Sequence, residues 1–303
     1  MKKRSSGSYR GQKCTLKAFF NAIDKNIENI NMLDVKNYFS DVLDKKNIKL
    51  KTKEMRRSHL KSFFYYVQAL MLDRGVEYQN PIPNKLVYQF TKKPGDIKKQ
   101  SQIKEKIISS ENLESILKYA KKNLRKKYFI LFSLLICTGA RHSEIRSIRL
   151  SNIHMKERYF ETGFEKDARK STLKSEEGLL FFFPRQFSIY LNNYILSLKG
   201  EAKWLFPAVK SEGKYAFLNE SALYHAKKKV ERGLGFHFKM HRFRHTLVNN
   251  RLIKMQCPLW LSEGLTNHKI SESTQVKHYA SLTIKQKRAL YDKYFPYREI
   301  PFF

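Results

Sequence analysis

The run Tyr128 to Cys137 (YFILFSLLIC) constrains this chain more than any other segment. As a helix it is apolar on every side, yet it is only about half as long as a bilayer span requires, and basic residues precede it directly. It therefore predicts a core helix surrounded by other elements rather than a membrane span. A domain has to be built around it.

The surrounding pattern changes period along the chain. Leu16, Phe19, Phe20 and Ile23, then Val35, Phe39, Val42 and Leu43, recur at helical spacing, and a third helix is expected over Thr52 to Leu70. That helix carries Lys53, Arg56, Arg57 and Lys61 at its start and Leu60, Phe63, Phe64 and Val67 further on. One end is basic and the other is core. Asn80-Pro81-Ile82-Pro83 cannot continue a helix, and KKPGDIKKQSQ reads as a charged linker. The expected division is a flexible basic arm over 1–14, a helical unit over 15–91, a linker over 92–105 and a second unit over 106–303. In the second unit Ser109-Ser110-Glu111 opens a helix with Leu113, Ile116 and Leu117 on its apolar face. Between about His154 and Pro184 short aromatic runs (Tyr159-Phe160, GLLFFF) alternate with polar turns, which predicts a small antiparallel sheet. Helical spacing returns from Gln186 to Phe295. Trp204 and Trp260 are expected in the core, and the aromatic tail over 284–303 either docks on a neighbouring subunit or covers its own core.

Charge narrows the partner. With 60 Lys plus Arg against 27 Asp plus Glu, the 303-residue chain has a formal charge of +33, while 42% hydrophobic residues mark a folded protein. A folded polycation binds a polyanion, and nucleic acid is the first candidate because neutralising phosphates releases counterions. An anionic membrane surface is the weaker alternative. Cys14, Cys137 and Cys257 are odd in number and too far apart for a zinc site or a disulfide framework, which fits a reduced, intracellular protein; a nucleic-acid partner would place it in the cytoplasm, associated with the nucleoid. The basic N-terminus has no apolar run behind it, so no secretory signal is expected.

Four segments carry groups suited to phosphodiester chemistry: Thr138 to Glu144, Lys166 to Lys174, His241 to His245, and Asn267-His268 with Tyr279 downstream. Singly each has an ordinary explanation. An arginine after a glycine at a helix junction is usually a surface residue, and Tyr279 is one of 17 tyrosines. Together they supply guanidiniums, imidazoles, an ammonium and a phenol. Arginines bind phosphate oxygens bidentately and stabilise the added negative charge of a pentacoordinate transition state. A phenol, with an ordinary pKa of ~10, becomes a nucleophile once its proton is accepted, and a lysine can protonate the leaving 5′ oxygen. No Asp/Glu cluster for Mg²⁺ is evident, and no cofactor is expected.

In this order the segments resemble the tyrosine recombinase family, which includes phage integrases and chromosome-dimer-resolving recombinases. TGARHSEI is similar to the family's T-G-x-R-x-[ST]-E-[LI] segment, HRFRHT to its H-x-[LF]-R-H-[ST] box, and LTNHKISESTQVKHYAS to its closing L-G-H through T-x-x-x-Y stretch. The resemblance runs from about residue 12 to 290. It implies a mainly α fold with a small antiparallel β-sheet, in which a helical core-binding domain and a catalytic domain clamp duplex DNA. It further implies Arg141, Lys174, His241, Arg244, His268 and Tyr279 as catalytic, Glu144 and His245 as supporting, and Lys53, Arg56, Arg57 and Lys61 as DNA-binding.

Two features depart from the family pattern. Asn267 stands where a glycine is usual, and His268 lies eleven residues before Tyr279, a slightly longer spacing than is common. The lysine is left open: counting back from Phe183-Pro184 favours Lys174, with Lys170 second and Lys166 also in the hairpin. The implied activity is cleavage and rejoining of DNA through a 3′-phosphotyrosyl intermediate without metal or ATP. The implied assembly is a homotetramer on two paired sites, with an accessory directionality or DNA-bending protein as a further partner. The alternatives are a type IB topoisomerase-like or telomere-resolving enzyme, and a catalytically inactive DNA-binding protein.

Overall fold

Helix α1 (Ser6–Phe20) meets helix α3 (Leu50–Asp73) through aromatic edges, Phe19 on Phe64 and Phe20 on Phe63, each pair 5.7 Å apart. This computed structural model describes residues 6–46, 48–82, 89–90, 107–162, 179–198, 202–208, 217–267 and 281–303. Two units are distinguished, Met1–Gln100 and Ser101–Phe303.

In the first unit α2 (Met32–Asn37) starts with Asn31, whose side chain accepts the Asp34 N–H, and continues as a π-helical turn over Tyr38–Asp44. Phe19, Val35, Tyr38, Phe39, Leu43, Leu60 and Phe64 form its core. Asn80 turns the chain by accepting the Ile82 N–H at 2.8 Å, and Ile82 is buried in the same core.

Two expectations are corrected here. Helix α1 begins at Ser6, inside the segment expected to be a flexible arm, and its Thr15 hydroxyl lies 3.0 Å from His59 Nδ1 on α3. Lys53, expected at the DNA surface, is 1% exposed and ion-paired with Asp44 at 2.7 Å, while donating to the Asp44 carbonyl at 3.1 Å. A buried ammonium needs a carboxylate partner, and Asp44 supplies it at the end of the π turn. Arg56, Arg57 and Lys61 are partly exposed on the same helix.

The second unit is built around α5 (Lys126–Thr138), which is buried from Phe129 to Thr138 as its composition predicts. Helix α4 (Ser110–Asn123) precedes it, capped by Ser109, whose hydroxyl accepts the Asn112 N–H. After α5 come a short helix α6 (His142–Arg146) and the strands β1 (Ile153–His154), β2 (Tyr159–Thr162) and β3 (Leu179–Phe182). The sheet is antiparallel in the order β1-β2-β3, with Phe160 opposite Phe181. Helices α7 (Arg185–Ile195), α8 (Glu220–Leu234), α9 (His241–Ile253), α10 (Leu259–Leu265) and α11 (Ile284–Lys293) complete the unit. The return to helix after Gln186 is interrupted by two extended pairings, Arg149 with Trp204 and Pro207 with Phe217. Trp204 is buried and Trp260 packs against the core. Among the described residues no helix is long and apolar enough to cross a membrane.

The aromatic tail goes into the chain's own core. Phe302 meets Phe129 at 5.4 Å, Phe303 meets Phe295 at 5.7 Å, and Tyr297 and Ile300 are buried beside them. Of the two destinations left open by the sequence, this one hides the aromatic surface within the chain.

Candidate functional site

Helix α5 ends at Gly139, whose φ of +67° makes the left-handed turn that redirects the chain into α6. Two observations make glycine necessary. A side chain would be strained at this φ, and a Cβ would lie 3.0 Å from Leu247 Cδ2 on α9. Thr138 secures the corner, donating to the Leu134 carbonyl at 2.6 Å and accepting the Ala140 N–H at 3.1 Å.

The turn sets Arg141 immediately before α6. Glu144, 2% exposed, accepts the Arg141 backbone N–H with one oxygen and its Nη1 with the other, both at 2.6 Å. The carboxylate caps the helix and orients the guanidinium together, leaving the Arg141 side chain 29% exposed.

Helix α9 brings the next box to this corner. Arg244 is 2% exposed and donates from Nη1 to the Gly139 carbonyl at 3.0 Å. Burial, then the nearby Arg141 charge, pushes its pKa down to about 10, while Glu144 acts in the opposite sense. His241, at the start of α9, is exposed, and its ring lies edge-on to His245 with centroids 4.7 Å apart. Desolvation lowers its pKa, and so do the positive charges of His245, Arg244, Arg141 and His142. An imidazole held neutral in this way is a proton acceptor. Among the described residues the corner sets Arg141, Arg244 and His241 beside the buried Glu144 carboxylate.

Arg141, Glu144, His241 and Arg244 thus come together, with His245 at the exposed edge. Lys166, Lys170, Lys174, His268 and Tyr279 lie outside the described residues. The described residues that flank them are β2 and β3 on either side of the lysine segment, Asn267 before His268, and α11 shortly after Tyr279. Among the described residues no group of three or more His, Cys, Asp or Glu converges.

Sequence reasoning did not single out Tyr291 and Arg251. Tyr291 is 1% exposed, donates to the Cys137 carbonyl at 3.0 Å, packs on Phe182 of β3 and lies 5.5 Å from the fully buried Arg251 guanidinium of α9. Next to it, Asp292 pairs with Arg158, the residue before β2. Helix α11 is therefore fastened to α5, α9 and the sheet at once. The only signal in the sequence was an unexplained arginine seven residues after Arg244 on a helix with apolar neighbours.

A helical unit with a three-stranded antiparallel sheet, and two neighbouring arginines brought together at a glycine turn, is the architecture of a recombinase-type fold. The phage integrase family model matches residues 106–285. The chain belongs to this family, the tyrosine recombinases. Among solved structures it is similar to the Tn1549 transposon integrase in complex with a circular intermediate DNA, at 15% identity and a TM-score of 0.60, covering 96% of this chain and 95% of that one. XerH recombinase bound to a palindromic difH substrate gives 15% identity and a TM-score of 0.60, covering 97% and 77%. The integrase from mycobacterium phage Brujita gives 14% identity and a TM-score of 0.50, covering 97% and 88%. No curated protein sequence matches significantly.

Proposed function

We propose that this chain is a site-specific recombinase that binds duplex DNA, cleaves it with Tyr279 and rejoins it to a partner strand. The observation that carries this reading is the proximity of half-buried Arg141, oriented by Glu144, to buried Arg244, which donates to the Gly139 carbonyl. Two guanidiniums so placed bind a phosphodiester and gain further when it becomes pentacoordinate. The Tyr279 oxygen attacks phosphorus, the bond to the 5′ oxygen breaks, and a 3′-phosphotyrosyl bond remains. Lys174 protonates the leaving 5′ oxygen, and His241 and His268 assist in moving the tyrosine proton and binding phosphate. A 5′ hydroxyl from the partner duplex reverses the step, so the phosphoester energy is conserved without ATP. Exchange between two duplexes calls for four protomers on two paired sites, with an accessory directionality or DNA-bending protein setting the outcome. Arg56, Arg57 and Lys61 supply phosphate contacts from the helical unit.

The test uses wild-type and Tyr279→Phe protein with nicked duplex fragments from the flanks of its own gene, denatured in SDS without added metal. Binding of both proteins is measured in parallel. A covalent adduct from the wild type alone is the expected result. Specific binding with no adduct from either protein defeats the enzymatic reading in favour of DNA binding alone.

A further inference from the structure

Asn267 occupies the position where the family pattern carries glycine, and its φ is +50°. Asparagine is the side-chain-bearing residue that tolerates this region best, so the backbone turn is kept. Its amide adds a contact glycine cannot make: Nδ2 donates to the Leu180 carbonyl on β3 at 2.6 Å. Strand β3 is at the edge of the three-stranded sheet, and an edge strand offers carbonyls to partners outside it.

Both ends of this contact are held by further backbone and side-chain bonds. The Asn267 N–H donates to Gly264 O at 3.0 Å, and Thr266, 0% exposed, donates its hydroxyl to Ser262 O at 2.8 Å. Leu180 is paired with Glu161 in the sheet. In sequence, Leu180 follows the segment containing Lys166, Lys170 and Lys174, and Asn267 precedes the segment containing His268 and Tyr279. One hydrogen bond joins the roots of the two segments.

We propose that Asn267 is a positioning residue, its side chain tying the point where the chain leaves for His268 and Tyr279 to strand β3. The inference rests on the recombinase reading above, with Tyr279 as nucleophile and a hairpin lysine as general acid. Asn267→Gly retains the turn and removes the tether, while Asn267→Asp retains the shape and removes the donor. Loss of one such bond is worth ~0.5–1.5 kcal/mol, so adduct formation slows by up to about tenfold.

The experiment measures the single-turnover rate of covalent adduct formation by full-length wild type and both variants on a nicked fragment that the wild type cleaves. DNA affinity and melting temperature are measured on the same proteins. A second substrate carries sulfur in place of the bridging 5′ oxygen, because a thiolate leaves without protonation and makes the acid dispensable. Slower adduct formation by both variants with wild-type affinity and melting, largely restored by the sulfur substrate, is the expected result. Wild-type rates in Asn267→Gly, or a defect that the sulfur substrate leaves untouched, overturn the inference. No adduct from the wild type on any fragment it binds defeats the recombinase reading itself, and the tether's role with it.

Discussion

Glu144 holds Arg141 at two points, its backbone N–H and its guanidinium, so one buried carboxylate fixes both the start of α6 and the direction of the charge. Glutamine has the same shape but only one accepting oxygen, and its amide N–H groups would face one of the two Arg141 donors. In Glu144→Gln the guanidinium shifts. A displacement of ~1 Å at a reacting centre costs about a hundredfold in rate. Adduct formation on nicked DNA is expected to fall by about ten- to a hundredfold while affinity for the uncleaved duplex is retained. Equal rates in the two proteins would show that Arg141 is oriented by something else.

Gly139→Ala tests the corner that joins α5 to α9. The left-handed conformation costs an alanine ~1–2 kcal/mol, and its Cβ presses on Leu247, which must move. Chemical denaturation should give a lower midpoint with an unchanged slope, and the variant should cleave more slowly because the Gly139 carbonyl positions Arg244. An unchanged midpoint contradicts the close approach of α9.

The burial of Lys53 separates two roles on α3. Lys53→Met is expected to lose ~1–3 kcal/mol of stability, less than for a fully buried pair because the Asp44 side chain remains 11% exposed. Its DNA affinity should keep the same salt dependence. Arg56→Gln and Lys61→Gln should each lower the slope of log affinity against log salt by about 0.9, with little change in stability. A reduced slope in Lys53→Met would return that lysine to the DNA surface.

His241 has its pKa lowered by partial burial and by surrounding cations, so in free protein it remains neutral to a lower pH than an ordinary imidazole. Its ring-proton chemical shift should titrate with a midpoint below ~6.5. Binding a duplex brings a phosphate to the same cations and should raise that midpoint. If neutral His241 accepts the tyrosine proton, cleavage of bound DNA declines with falling pH around the midpoint measured in the complex, not around the lower midpoint of the free protein. A midpoint at or above the ordinary value in the free protein would contradict the desolvated, cation-flanked setting of the ring.

The parts legible in the sequence were those set by local periodicity and by clustered motifs. The apolar run before Thr138, the Ser109 cap and the aromatic strands each carry a local signature, and the structure has a helix, a cap and strands there. Arg141 and Arg244 are far apart in sequence, and only order and motif brought them together before the fold did. The burial of Lys53 was not legible, because its partner Asp44 lies on another element and a lysine at a helix start looks like a solvated one. Tyr291 was hidden for the same reason: its value lies in long-range contacts with Cys137, Phe182 and Arg251, none of which leaves a periodic trace. The two extended pairings around Trp204 were masked by short, irregular segments whose partners are distant.

The burial of Phe302 and Phe303 against Phe129, Phe187 and Phe295 also has a temporal side. Arg141, Glu144 and Arg244 leave the ribosome well before the aromatic residues that close the core around α5 and α7. Domains fold as units during synthesis, so the first unit can fold early while the second waits for its final aromatic residues. A nascent chain would then hold Arg141, Glu144 and Arg244 without the finished scaffold that orients them. The arginine corner would be finished only once Phe302 and Phe303 have joined the core.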